Sequence, residues 1–409
     1  MPNTALPHLV GDRSLQLLAD PYRFIGRHAD RLGTDGFRTR VMGQRITCLR
    51  GADAARFFGE GGRFDRTGAI PFTARRLLQD DGSVQTAHGR EHVLRKERFL
   101  DVLGPDGQRS MTDVLDVAWR RRAAVRAAGP VDVHAEAVRL LGESVLTWAG
   151  VPLDQDDPDD VTAELQAMFE NAGRFGPRNA LARARRMRTE GRARRWIERA
   201  RAGQLPPGTP LAAVAAWTDA EGEPLPVPIA AIELLNLLRP TVAVAEFFVW
   251  AALALAVRPA EQESVRAEPG YAVAFAHEVR RHAPFFPVTA GRATKPLAWH
   301  DVRFAARDWV MLDLYGTNHD ARIWLDPERF RPIRFLEGID PRTVVAQGAG
   351  DYTPDHRCPG EGLTNALIAR FAELLAGERW TTDGRPDATV RFTRIPAHPR
   401  SPLRLRFAA

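Results

Sequence analysis

The chain has 409 residues, of which 44% are hydrophobic, 8% aromatic and 26% charged. That composition excludes a disordered, collagenous or small disulfide-stapled protein and leaves room for a large core. The net charge of +6 comes from 57 basic against 51 acidic residues; only Lys96 and Lys295 are lysines, so the excess is an arginine habit with no basic run that would point to nucleic acid.

The N-terminus, Met1-Pro2-Asn3-Thr4-Ala5, has neither a basic start nor an apolar core. No signal peptide is visible, and a cytoplasmic setting is the expectation. Residues 37–50 read as a hairpin that turns at Gly43. A short helix follows over Ala52 to Phe58. From Glu91 to about Gly203 the pattern is helical, with breaks near Gly104-Pro105, Gly129-Pro130 and Pro158. The arginine-rich stretch Arg183 to Arg201 reads as a solvated helix face. Residues 205–228, rich in proline, read as loop. A long apolar helix is expected over about 229–257. Unbroken, ~29 residues would span ~43 Å. It carries Glu233, Asn236, Arg239, Pro240 and Glu246. Such groups are costly in lipid, so a buried helix is expected rather than a membrane span. A second helix runs from Ala274 to Arg281 and closes at Pro284. Residues 285–315 look strand-rich, and short strands follow Thr382. The sum is one mainly-α domain with small sheets at its edges.

Cys48 and Cys358 lie far apart, so a bridge between them is not expected. Cys48 sits in the predicted hairpin as packing. Cys358 ends a glycine-rich loop, Gln347-Gly348-Ala349-Gly350, and precedes Pro359-Gly360 and a helix. A helix N-terminus beside a cysteine favours thiolate, and His356 and Arg357 add positive charge. Such a sulfur can be a nucleophile, a redox thiol, an axial haem ligand or inert packing. Glu278 and Arg281 share a helix face, and Arg334 could join them.

Three segments, in this order, resemble the cytochrome P450 superfamily. They are Glu278-x-x-Arg281, then Trp324-x-x-Pro327-x-x-Phe330-x-Pro332-x-Arg334-Phe335, then Cys358-x-Gly360. The resemblance implies a single-domain, mainly-α fold over 1–409, with a haem-thiolate loop at 347–362. It implies haem b held by Cys358 as axial metal ligand. It implies a structural triad of Glu278, Arg281 and Arg334. His92, Lys96 and His356 would bind the cofactor.

Most members place an acid-threonine pair in the central helix. Here Asn236-Leu237-Leu238-Arg239-Pro240-Thr241 stands instead. Proline in mid-helix costs ~3 kcal/mol or more. A buried arginine is also costly unless paired. Arg239-Pro240 resembles the fatty-acid peroxygenase branch, as do Pro284-Phe285-Phe286-Pro287 and the long loop ending His356-Arg357-Cys358. This implies hydrogen peroxide as oxidant and a carboxylic acid as substrate, with no redox partner and no nucleic acid. Arg239 would hold the substrate carboxylate, which acts as general acid–base. Attack at the α or β carbon gives a hydroxy acid; loss of CO2 gives a terminal alkene. Gln85 occupies the position where glutamine goes with hydroxylases and histidine with decarboxylating members. Arg239, Gln85 and Phe286 would contact the acid. Relatives often carry phenylalanine where this chain has Leu78-Gln79, which points to a shorter, branched or aromatic acid. The other readings are a reductase-dependent monooxygenase and a non-catalytic haem sensor.

Overall fold

The computed structural model describes residues 6–78 and 82–408. Gln79 therefore lies outside the described residues. The predicted hairpin forms β2 (Gly36–Val41) and β3 (Gln44–Leu49). Met42 and Gly43 between them both have positive φ, 51° and 74°. A two-residue turn of that hand matches the strand twist. With β1 (His8–Asp12), β4 (Phe64–Asp65), β5 (Val288–Ala293) and β6 (Trp309–Asp313) they build a sheet in the order β1-β2-β3-β6-β5-β4. β3 pairs with β6 in parallel, Cys48 opposite Met311. Cys48 is fully buried there, and burial pushes its thiol pKa up, so it is inert packing.

The rest is mainly helical. The helices that position the site are α1 (Gly89–Val102), α2 (Val133–Ala149), α3 (Pro158–Asn171) and α4 (Pro177–Arg201). α5 (Val227–Ala243), α6 (Ala245–Val257), α7 (Tyr271–His282) and α8 (Glu361–Gly377) complete them. Asp132 caps α2 by accepting from the Ala135 amide at 3.0 Å. Leu140, Leu141, Leu234, Leu238, Phe248, Leu367 and Phe371 belong to one core cluster. Phe248 and Phe371 stack at 4.0 Å, joining α6 to α8.

Three expectations change, the first being that within 205–228, read as loop, Pro210–Ala215 forms a short helix capped by Thr209. The central helix is two segments that meet at Val244, four residues after Pro240. Pro240 has no amide proton for the Asn236 carbonyl, and its ring crowds the preceding turn. Together these segments are long and apolar enough to cross a membrane, yet the most apolar window is 78% buried inside the protein. The arginine-rich stretch is not wholly solvated: Arg186 is buried in α4 against Glu190 at 2.8 Å. Arg188 and Arg192 reach Glu164 of α3 at 3.2 and 3.0 Å. Trp196 donates to Asp156 at 3.0 Å. Packing α4 on α3 buries Arg186 and Glu164 and half-buries Arg192, while Arg188 stays exposed.

Candidate active site

One cavity is lined by Cys358, His356, His92, Lys96, Gln85, Arg239, Pro240 and Phe286. The sequence-predicted cofactor and substrate residues therefore meet in one place. The triad residues Glu278, Arg281 and Arg334 stand behind it.

The cysteine loop is fixed from three sides. Gly350 has φ of +91°, and a Cβ there would lie 2.7 Å from the Gly59 carbonyl. Only glycine allows the chain to pass so close. From the second side, Glu278 accepts two bonds from Arg281 at 2.8 Å and lies 3.2 Å from Arg334. Arg281 also donates to the Asn318 carbonyl at 2.8 Å, while the Asn318 side chain accepts from the Val345 amide at 2.9 Å. The triad thus reaches the loop through Asn318. From the third side, Arg280 lies 2.9 Å from Glu361 and donates to Gln347 Oε1 at 2.9 Å. Sequence reasoning missed Arg280, although it touches the loop more directly than the triad.

The charge at the sulfur differs from the sequence expectation. Arg357 turns away from it and forks onto Glu361 at 2.7 and 2.9 Å. His356 is half-buried, and desolvation holds its pKa well below the usual histidine range. Burial pushes the Cys358 thiol up, against a smaller opposing pull from Lys96. A metal cation at the sulfur would oppose that rise.

Lys96 and Arg66 face the same cavity. Burial lowers Lys96 to about 8 and Arg66 to about 10. Lys96 donates to the Arg357 carbonyl, and Arg66 to the Thr289 hydroxyl and the Ala290 carbonyl. Their hydrogen-bond partners among the described residues are all neutral. A buried lysine and a half-buried arginine held this way fit a dianionic ligand. His92 bridges the Val84 carbonyl at 3.0 Å and the Asp355 carbonyl at 3.3 Å, and packs on His356 at 4.4 Å.

The opposite wall is a hydrogen-bonded relay on α5. Arg239 is 3% exposed. It donates to the carbonyls of Leu77 and Leu78 at 3.2 and 2.5 Å, and to Asn236 Oδ1 at 2.9 Å. Asn236 donates in turn to Glu233 at 2.8 Å and to Gln85 Oε1 at 3.2 Å. Glu233 also accepts from Arg95 at 3.0 Å and from the Val84 amide at 2.7 Å. So Asn236 uses both its amide protons and its oxygen to fix Arg239 and Gln85 together. Glu233 and Arg95 were not singled out from the sequence; the i, i+3 spacing of Glu233, Asn236 and Arg239 was the available signal. Phe285 and Phe286 pack edge to face at 4.6 Å and close the apolar part.

Residues 258–368 match the cytochrome P450 family. The solved structure of cytochrome P450SP alpha (CYP152B1) in complex with (R)-ibuprophen superposes with a TM-score of 0.92 at 38% identity, covering 97% of this chain and 98% of that one. The chain belongs to the cytochrome P450 superfamily. Cytochrome P450EX alpha (CYP152N1), solved with myristic acid, matches at TM-score 0.93 and 32% identity over 98% of each chain. A variant of cytochrome P450 OleT in complex with arachidonic acid matches at TM-score 0.93 and 28% identity over 99% of each. By sequence alone the matches are shorter. A putative cytochrome P450 137 of Mycobacterium tuberculosis is 31% identical over 154 residues, 37% of this chain and 32% of that protein. Cytochrome P450 1B1 of Rattus norvegicus is 30% identical over 109 residues, and the chain spans only 20% of its length. This cytochrome P450 is a haem-thiolate oxidoreductase whose cofactor is haem b. The cavity suits that group: a sulfur on one wall, and at its edge the buried Lys96 and half-buried Arg66, whose hydrogen-bond partners are neutral, where two propionates would sit.

Proposed function

We propose that the protein hydroxylates a fatty-acid-type carboxylic acid at its α or β carbon, using hydrogen peroxide and no redox partner. The balance is R–H plus H2O2 giving R–OH plus H2O. Cys358 would ligate the haem iron through its sulfur, and His92, Lys96, His356 and Arg66, which line the same cavity, would hold the cofactor's edge. Haem b, when bound, supplies the oxygen-transfer chemistry.

The observation that carries this reading is Arg239 on the cavity wall, in a helix without an acid-threonine pair. A planar guanidinium forks onto a carboxylate. Leu77, Leu78 and Asn236 fix its orientation before an acid arrives. The bound carboxylate then takes one peroxide proton and returns it to the departing oxygen as the O–O bond breaks. Because the acid is tethered at its head, only carbons close to the carboxyl reach the reacting position. Gln85, tied to Arg239 through Asn236, stands beside the same carboxylate and favours hydroxylation over loss of CO2. Phe286 contacts the acid's apolar part. The relatives solved with myristic acid, arachidonic acid and ibuprophen support a carboxylic acid of this class. A central helix spent on the core supports a cytoplasmic setting.

The test is purified ferric protein, carboxylic acids of graded length, and hydrogen peroxide without NAD(P)H, with products read by mass spectrometry. Hydroxy acids that vanish in Arg239→Ala are expected. Turnover only with a reductase system sinks the reading. Terminal alkenes as the main product would replace hydroxylation by decarboxylation.

A further inference from the structure

Away from the haem cavity, His134, Glu246 and His398 converge. Each offers a ligand atom, and all three atoms lie within 4.8 Å of one another. His134 Nε2 is 3.3 Å from Glu246 Oε1, and His398 Nε2 is 2.7 Å from Glu246 Oε2. Glu170 stands next, its Oε1 3.6 Å from His134 Nε2. Gln166 and Arg394 hold that carboxylate at 3.0 and 3.3 Å. The two imidazoles meet edge to face at 4.8 Å. Glu246 is 1% exposed. Despite the short separation, neither Glu246 Oε2 nor His398 Nε2 has a partner in hydrogen-bond alignment among the described residues. Buried polar atoms left so are rare and costly.

We propose that His134, Glu246 and His398 bind a divalent transition-metal ion, best matched by zinc, with Glu170 or water in the fourth position. Imidazole and carboxylate are the donors zinc accepts. With bonds of about 2.0–2.1 Å, tetrahedral ligand atoms sit roughly 3.3 Å apart. The separations of 3.3, 2.7 and 3.6 Å bracket that edge. The second carboxylate would complete the neutralisation of a 2+ ion.

The ligands come from distant parts of the chain. His134 opens α2 and Glu246 opens α6. His398 lies in β8 (His398–Pro399), paired with β7 (Val390–Arg391). A metal here pins the C-terminal hairpin to the helices. Phe169 and Phe247, next in sequence to Glu170 and Glu246, line the haem cavity. The site is a structural clamp directly behind that wall.

The experiment uses tag-free holoprotein stripped with a chelator, incubated with zinc chloride, desalted and analysed by mass spectrometry for metal. About one zinc per chain and a zinc-dependent rise in Tm of several degrees are expected. His398→Gln and His134→Gln, each with normal haem content by the Soret band, should hold less than about a tenth of a zinc and lose the Tm response. Wild type with no zinc after desalting and no Tm response overturns the proposal, as does equal zinc in wild type and both variants. Should one variant fail to fold, the other and the wild-type stoichiometry still decide.

Discussion

Arg280 donates to Gln347 Oε1 at 2.9 Å, and this turns the amide so that Gln347 Nε2 stands 3.9 Å from Cys358 Sγ. The same nitrogen reaches the Thr364 hydroxyl at 3.1 Å. A buried arginine thus aims a donor at the Cys358 sulfur. Hydrogen bonds to a thiolate draw off electron density and raise the potential of the iron behind it. Gln347→Leu is expected to make the haem reduction potential more negative, read by spectroelectrochemistry with haem content unchanged. An unchanged potential would remove Gln347 from this role.

Arg239→Lys keeps the charge and loses the fork. Charged hydrogen bonds contribute about 1.5–3 kcal/mol, and about 1.4 kcal/mol is tenfold in affinity. The variant is expected to bind carboxylic acids roughly 10- to 100-fold more weakly in a Soret titration. Wild-type affinity in the variant would mean the acid is anchored elsewhere.

Glu278 is fully buried and balances Arg281 and Arg334 while accepting the Arg331 amide at 2.8 Å. Glu278→Gln leaves those cations without their anion. Breaking a buried charge cluster costs roughly 3–5 kcal/mol. Thermal unfolding should show a loss of that order and, through Asn318 and Val345, weaker haem retention. A variant as stable as wild type would make the triad incidental.

Asp313 is buried at the start of a short helix, Leu314–Asn318, and accepts from the Gly316 amide at 2.7 Å. Burial raises its pKa from 3.8 to about 7. The native state therefore holds this proton more tightly than the unfolded chain does. Its contribution is complete below about pH 4 and is lost as pH rises to about 7. Asp313→Asn keeps the acceptor for Gly316 and should flatten the stability profile across that window, measured by denaturant unfolding at fixed pH values. A wild-type slope in the variant would assign the effect to other groups.

The hairpin at 37–50 was legible because strand alternation and Gly43 agree with one turn type. The P450 motifs placed Cys358, Glu278, Arg281 and Arg334 because they carry their chemistry in the local string. Arg280 was hidden: its partner Gln347 is 67 residues away, and no local pattern separates it from Arg281. Arg357 misled because adjacency to Cys358 suggested a charge at the sulfur. Glu361, one helical turn further along the chain, was the better guide. The central helix kept its span but not its continuity, since Pro240 sets where the backbone must yield and the sequence does not say how far downstream. Asn236 read as one more polar group in an apolar helix. Only the fold brings Gln85, Glu233 and Arg239 to it at once.

The two lysines sit in opposite surroundings. Lys295 is exposed in the turn after β5, and Lys96 is 2% exposed on the cavity wall. An amine-reactive reagent therefore finds a single internal lysine on the intact protein. Unfolding of the chain opens the second, because the surrounding protein itself buries Lys96. The ratio of singly to doubly labelled chains, counted by mass after subtracting the N-terminal amine, becomes a tally of local unfolding around the cysteine loop, and Lys295 a single internal tether point for fixing the enzyme to a solid support.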